Sequence, residues 1–129
     1  MDYITHLKPN EIFVFGSNLS GIHGAGAAKV AFKLFGAEYG IGEGMTGQCY
    51  AIPTKDAKLR TRPLDEIYDA VIRFLNTAKR RKDLTFLVTP IGCGLAGYKP
   101  EQIAPMFATA IHMDNVVLPK EFSDRIKGY

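Results

Sequence analysis

Ile12-Phe13-Val14-Phe15 runs straight into Gly16-Ser17-Asn18-Leu19-Ser20-Gly21-Ile22-His23-Gly24-Ala25-Gly26, and an alanine-rich run follows. The four apolar residues, β-branched or aromatic, read as a buried strand. Ala27, Ala28, Ala31, Leu34 and Phe35 fall on one stripe of a helix, with Gly36 as its stop. The turn between them is rich in glycine, whose backbone can adopt φ > 0 and approach a ligand closely. A helix that begins after such a turn directs unpaired N–H groups and the positive end of its dipole at the loop. That geometry suits a phosphate. The pattern returns later: Leu84-Thr85-Phe86-Leu87-Val88 precedes Gly92-Cys93-Gly94-Leu95-Ala96-Gly97-Tyr98. Two such loops in one small domain predict a clamp on a diphosphate, with a nucleotide-like body on either side.

Outward from these loops, Cys49–Ile52 and Val116–Leu118 add two more short strand-like runs. Leu64, Ile67, Tyr68, Val71, Leu75 and Ala78 form a helical stripe. Pro63 suits its first position, and Asp65 and Glu66 its first turn. Ile103, Phe107, Ala110 and Ile111 make a third stripe with Pro105 inside it. There, either a helix begins near Ala104 or a tight turn starts at Pro100 and the helix follows. Gly36–Gly47 holds five glycines and reads as a loop or flap. Alternating strands and helices predict a layered α/β domain with a largely parallel sheet. Right-handed crossovers would put both glycine loops at the carboxyl ends of strands, where open α/β sheets bind ligands.

At 129 residues, one domain spanning residues 1–129 is expected. No apolar run reaches the roughly 20 residues of a membrane span. Met1–His6 lacks the pattern of a signal peptide. Cys49 and Cys93 are too few for a disulfide framework, so reduced thiols and a cytoplasmic setting are expected. The net charge of +3 is mild. Basic residues cluster at Lys58, Arg60 and Arg62 and again at Lys79–Lys82. The second cluster falls where a helix should end, and cations there complement its dipole. Nucleic-acid contact needs more than a short basic run, so no nucleic-acid partner is expected. Three scattered histidines and two distant cysteines give no metal-ligand spacing, and no cofactor is expected.

Two named phosphate motifs fail. Lys29 lies between Ala28 and Val30, so the hydroxyl that a Walker A loop places after its lysine is missing. Gly92-Cys93-Gly94-Leu95-Ala96-Gly97 matches G-x-G-x-x-G, and Asp114 lies near the spacing of a ribose-binding acid. Yet the motif sits late in the chain, with Pro100 close behind it, where a dinucleotide fold needs a helix and a second strand.

The pair of loops resembles those of macrodomains, which bind ADP-ribose. Ser17-Asn18 followed by Gly21-Ile22-His23-Gly24-Ala25-Gly26 is similar to the first ligand loop of that family. Pro90-Ile91-Gly92-Cys93-Gly94-Leu95 is similar to its diphosphate-embracing loop, above all in the branch of the terminal ADP-ribose protein glycohydrolase. Tyr50-Ala51-Ile52-Pro53-Thr54-Lys55 resembles the strand end that carries the catalytic lysine of that branch. The likeness covers roughly residues 11–119, and the overall look is that of short bacterial and phage macrodomain-like proteins. It implies a three-layer α/β fold: a mostly parallel central sheet with helices on both faces. It departs from the family in two places. The acidic residue after Gly-Cys-Gly-Leu is Ala96 here, and Met1–Asn10 offers only Asp2 in place of the Gly-Asp-Ile segment that holds the adenine amino group.

The resemblance implies ligand contacts from Asn18, Gly21, His23, Gly24, Ala25 and Gly26, and from Gly92, Cys93, Gly94, Leu95, Ala96, Gly97 and Tyr98. Lys55 is the implied catalytic amine, attacking an opened ribose, and such a lysine must be partly desolvated. Five of these residues have a plainer alternative. Asn18 can close a turn, and His23 can be an ordinary loop histidine. Lys55 can be solvated, Cys93 can be a small buried residue rather than a reactive thiol, and Tyr98 can simply pack. The expected function is binding of ADP-ribose or a related nucleoside diphosphate, with hydrolysis of an ADP-ribosyl linkage on a macromolecule as the enzymatic version. The alternatives are a non-catalytic module that binds or sequesters a nucleotide signal, and a small RNA-binding domain.

Overall fold

The computed structural model describes residues 4–126; Asp2 lies outside them. Five strands form one sheet: β1 (Glu11–Asn18), β2 (Gly44–Thr46), β3 (Cys49–Lys55), β4 (Thr85–Val88) and β5 (Val116–Val117). Their spatial order is β2-β3-β1-β4-β5. β1 pairs in parallel with β3 and β4, and β4 with β5; only β2 runs antiparallel, against β3. The helices are α1 (Gly26–Leu34), α2 (Leu64–Arg80), α3 (Pro100–Ile103) and α4 (Lys120–Ile126), with a 3₁₀ helix at Ala104–His112. The protein is therefore α/β with a mixed, mostly parallel sheet.

Alternation along β1 builds two cores. Ile12 and Val14 face a cluster made with α2, the 3₁₀ helix and α4. Phe13 and Phe15 face a cluster made with α1, Phe35 and Ala51. Successive strand side chains point to opposite faces, so one apolar run serves both cores. This is consistent with three layers. The chain leaves β1 toward β3 on one side, then crosses back through α2 to β4 on the other. Parallel crossovers of one hand in opposite directions put α1 and α2 on opposite faces. Loops that leave β1 and β4 thus meet above their shared carboxyl edge.

The helices follow the expected stripes with three corrections. On α2 the buried residues are Ile67, Ala70, Val71, Phe74, Leu75 and Ala78. Tyr68 is 47% exposed: it lies one residue, about 100° of helix, past Ile67 and off the stripe. Leu34 of α1 also faces away from the core, whereas Phe35 just beyond it is buried. The third stripe begins at Pro100, where the Lys99 N–H donates to Gln102 Oε1 at 2.9 Å. It continues from Ala104 as a 3₁₀ helix rather than an α-helix. Pro105 has no N–H to give to an α-type bond, and the tighter winding accommodates that loss. The flap Gly36–Gly47 carries the short edge strand β2, and α4 follows β5. Among the described residues no helix is long and apolar enough to cross a membrane.

Candidate functional site

A cavity of about 1600 Å³ opens beyond the carboxyl ends of the parallel strands. β1 contributes Gly16, Ser17 and Asn18, and β3 contributes Thr54 and Lys55. The segment after β4 contributes Thr89–Ala96, and β5 with the start of α4 contributes Val117–Glu121. Both glycine loops line this one space: Gly24, Ala25 and Gly26 from the first, Gly92, Cys93, Gly94, Leu95 and Ala96 from the second. They nearly touch. A methyl built on Gly26 would lie 3.9 Å from Leu95 Cδ1.

Both loops offer free main-chain N–H groups. Among the described residues, the N–H groups of Gly24, Ala25, Gly26 and Ala27 have no partner, nor do those of Gly94, Leu95 and Ala96. Ala25 at the start of α1 has no capping side chain, and the first turn of α1 holds no acidic residue. The positive end of a nine-residue helix therefore faces the cavity uncompensated. Beta-carbons built at Gly24 and Gly94 would meet nothing within 4 Å. Space above both glycines is open, as a close ligand approach requires.

Four of the thirteen expected contact residues lie elsewhere. Gly21 has φ +69°, and a Cβ on it would lie 2.4 Å from the Ile41 nitrogen. It is a glycine because the flap passes directly beneath it. His23 is 1% exposed, with Nε2 2.8 Å from the Glu38 carbonyl oxygen and its ring between Phe15 and Tyr39. It fastens the first loop to the flap and stays out of the cavity, while Ile22 and Gly24 on either side line it. Gly97 is outside the lining; its N–H donates to the Gly94 carbonyl at 3.0 Å and closes the second loop. Tyr98 donates its hydroxyl to the Arg62 carbonyl at 2.7 Å and packs against the larger core.

Asn18 does line the cavity, yet its amide is engaged within the first loop. Its Nδ2 donates to the Ile22 carbonyl at 2.7 Å, and its Oδ1 accepts from the Ile22 N–H at 3.0 Å. The asparagine sets the shape of the loop through a turn of its own. Ser17 donates to the Gly42 carbonyl and ties the same strand end to the flap. Lys55 ends β3, lines the cavity and has no ion-pair partner among the described residues. Cys93 is half-buried, and burial, reinforced by Glu121 and Glu101, pushes its thiol up to about 11. It is protonated at neutral pH and a poor nucleophile.

Carboxylates are scarce here. Among the described residues, Glu121 is the one acidic residue in the lining. Asp56, next to Lys55, accepts from the Lys58 N–H at 2.8 Å and the Arg60 N–H at 3.0 Å, and pairs with the Arg60 guanidinium at 3.0 Å. The Arg60 N–H, ahead of the other contacts, holds this carboxyl below its usual range. Among the described residues no cluster of three His, Cys, Asp or Glu side chains could hold a metal ion.

The lining also includes residues that pattern reading passed over: Thr54, Thr89, Leu59, Val117 and Glu121. Thr54 and Thr89 end or follow strands, and their hydroxyls donate to the carbonyls of Ser17 and Val14. Their position at or just past the carboxyl end of a strand was the available signal. Leu59 gave none, because leucine has no preference for the turn it occupies. Comparison with protein-family models, with curated proteins and with solved structures returns no match for this chain.

Proposed function

We propose that this chain is a macrodomain-like protein that binds ADP-ribose or a related nucleoside diphosphate in the cavity. The observation that carries the reading is the convergence of two glycine loops, with seven unpartnered N–H groups between them, on one space at the carboxyl edge of the sheet. Charge-assisted N–H bonds to phosphate oxygens are among the stronger hydrogen bonds proteins make. A diphosphate offers enough oxygens for both loops at once. The resemblance of Pro90–Leu95 to the diphosphate loop of macrodomains supports the same reading.

The binding-module version is favoured over the hydrolase. Ala96 brings no carboxylate to the second loop, and Asp56 is held in its own turn by three contacts. The RNA reading finds less support, because Arg60, Arg62 and Arg81 each pair with a carboxylate.

Calorimetry with ADP-ribose, ADP and AMP tests the proposal. ADP-ribose and ADP should bind, and AMP, with a single phosphate, should bind much more weakly. No heat from ADP-ribose or ADP at millimolar concentration overturns it. Borohydride trapping of a sugar adduct on Lys55 would move the protein to the enzymatic version.

A further inference from the structure

Leu59 is the one non-glycine residue with positive φ among those described, at +64°. It belongs to a tight hairpin loop. Lys55 and Thr61 pair across its base, Asp56 N–H donates to the Arg60 carbonyl at 2.8 Å, and Leu59 N–H donates to the Asp56 carbonyl at 3.0 Å. Such turns need one residue in the left-handed region, and glycine or asparagine takes it at little cost. A leucine there destabilises the fold. It gains nothing from the core in exchange, because its side chain is 47% exposed and belongs to neither core cluster. What it does line is the cavity, beside Lys55. Strain that persists without an internal reason points to a site of function.

Leu59 has company. Among the described residues Leu95, on the second glycine loop, is the most exposed of the large apolar residues at 69%, and Ile22, on the first loop, is 47% exposed. All three line the same cavity. The hairpin loop is tied to the second glycine loop, since Thr61 donates its hydroxyl to the Ala96 carbonyl at 2.9 Å. Three separate loops thus each place one exposed aliphatic residue on the lining of the same cavity.

We infer that Ile22, Leu59 and Leu95 form an aliphatic jaw for a flat, weakly hydrated ring carried beyond the diphosphate, so that the preferred ligand class is a dinucleoside diphosphate. The inference rests on the clamp proposed above. The cavity has room: it exceeds the roughly 300–1,000 Å³ of an ordinary small-molecule pocket. A ring sandwiched by aliphatic groups removes their surface from water without needing polar partners.

The test is calorimetry of ADP, ADP-ribose and diadenosine diphosphate on the wild type, Leu59→Asn and Leu95→Ser, with melting temperatures alongside. Asparagine tolerates the left-handed conformation. Leu59→Asn should therefore melt about 3 °C higher. It should bind diadenosine diphosphate about tenfold more weakly, from lost aliphatic contact, and ADP as before. Leu95→Ser should show the same binding pattern with no rise in melting temperature, which keeps the test decisive if Leu59→Asn fails to fold. Wild type should prefer diadenosine diphosphate over ADP-ribose. Equal loss of ADP-ribose in both variants would put the sugar against the jaw and overturn the inference. So would unchanged diadenosine diphosphate affinity with ADP binding intact. If the wild type binds none of the three, the clamp itself fails and the jaw falls with it.

Discussion

A valine at Gly24 or at Gly94 separates the clamp from the fold. Neither glycine has positive φ, and a Cβ at either meets nothing within 4 Å. Both are exposed. The folded state therefore tolerates the side chain, and substitutions at such sites stay within about 0.5 kcal/mol, or about 2 °C in melting temperature. Binding is another matter. The isopropyl group fills the space from which the loop N–H groups would reach phosphate oxygens. A hydrogen bond to a charged group contributes roughly 1.5–3 kcal/mol. Losing two gives about 3–6 kcal/mol, a weakening of roughly 10²–10⁴-fold. ADP and ADP-ribose should suffer alike, because the diphosphate is what they share. Gly21→Val is the matched control. At φ +69° and 2.4 Å from the Ile41 nitrogen, it should lower the melting temperature steeply through the fold, not through the ligand. Isothermal titration calorimetry, with far-UV circular dichroism on each variant, reads both effects. Gly24→Val and Gly94→Val proteins that fold and bind ADP as tightly as wild type would refute the clamp.

Leu75→Ala, in the α2 stripe, should destabilise by about 2–5 kcal/mol, whereas Tyr68→Ala on the exposed side should change urea stability by less than about 0.5 kcal/mol. Burial pushes the Cys49 thiol from 9.0 up to about 12. The unfolded chain therefore loses this proton first, and stability should fall as pH rises from 9 toward 12. Cys49→Ala should flatten that alkaline limb of the melting curve. Cys93, raised to about 11, should react with a thiol reagent at pH 7.5 far more slowly than the same residue in urea. Reversing Lys79 and Arg80, in the last turn of α2, should lower stability by about 0.3–1 kcal/mol per charge and leave ADP affinity unchanged; a salt-dependent loss of RNA binding would refute this.

The glycine loops were legible because strand, turn and helix are adjacent in the chain, and local chemistry alone dictates such a unit. Which glycine serves which purpose was not legible. Gly21 and Gly24 look alike in sequence, but only the fold brings Gly40 and Ile41 beneath the first of them. His23 followed the same logic. Its neighbours Phe15 and Tyr39 come from β1 and the flap, and neither position marks a buried histidine. β2 was missed because three residues show no alternation. α4 was missed because Phe122 and Ile126 supply only one repeat of a helical stripe. Pro105 showed that the third stripe would be irregular, without saying that it would wind as 3₁₀.

Whether such a cavity holds its ligand or cleaves it turns on proton transfer near Lys55. An amine nucleophile needs a partner that takes and returns protons, and a positioned acid or base contributes about 10²–10⁴-fold. The second loop supplies Ala96 where a carboxylate would stand, and its carbonyl is taken by the Thr61 hydroxyl. Asp56 is the carboxylate nearest in sequence, but it already accepts from the Lys58 and Arg60 N–H groups and pairs with the Arg60 guanidinium. Moving it toward Lys55 would open the hairpin that carries Leu59. His23 is sealed beneath the first loop. The remaining acid, Glu121, lies with β5 and the start of α4, whereas Lys55 ends β3. β3 and β5 are separated by β1 and β4 in the sheet. With strands about 4.8 Å apart, three spacings put roughly 14 Å between the strands from whose ends Lys55 and the segment bearing Glu121 leave. Among the described residues, Ala96 and the engaged Asp56 thus favour the binding version of the proposal over hydrolysis.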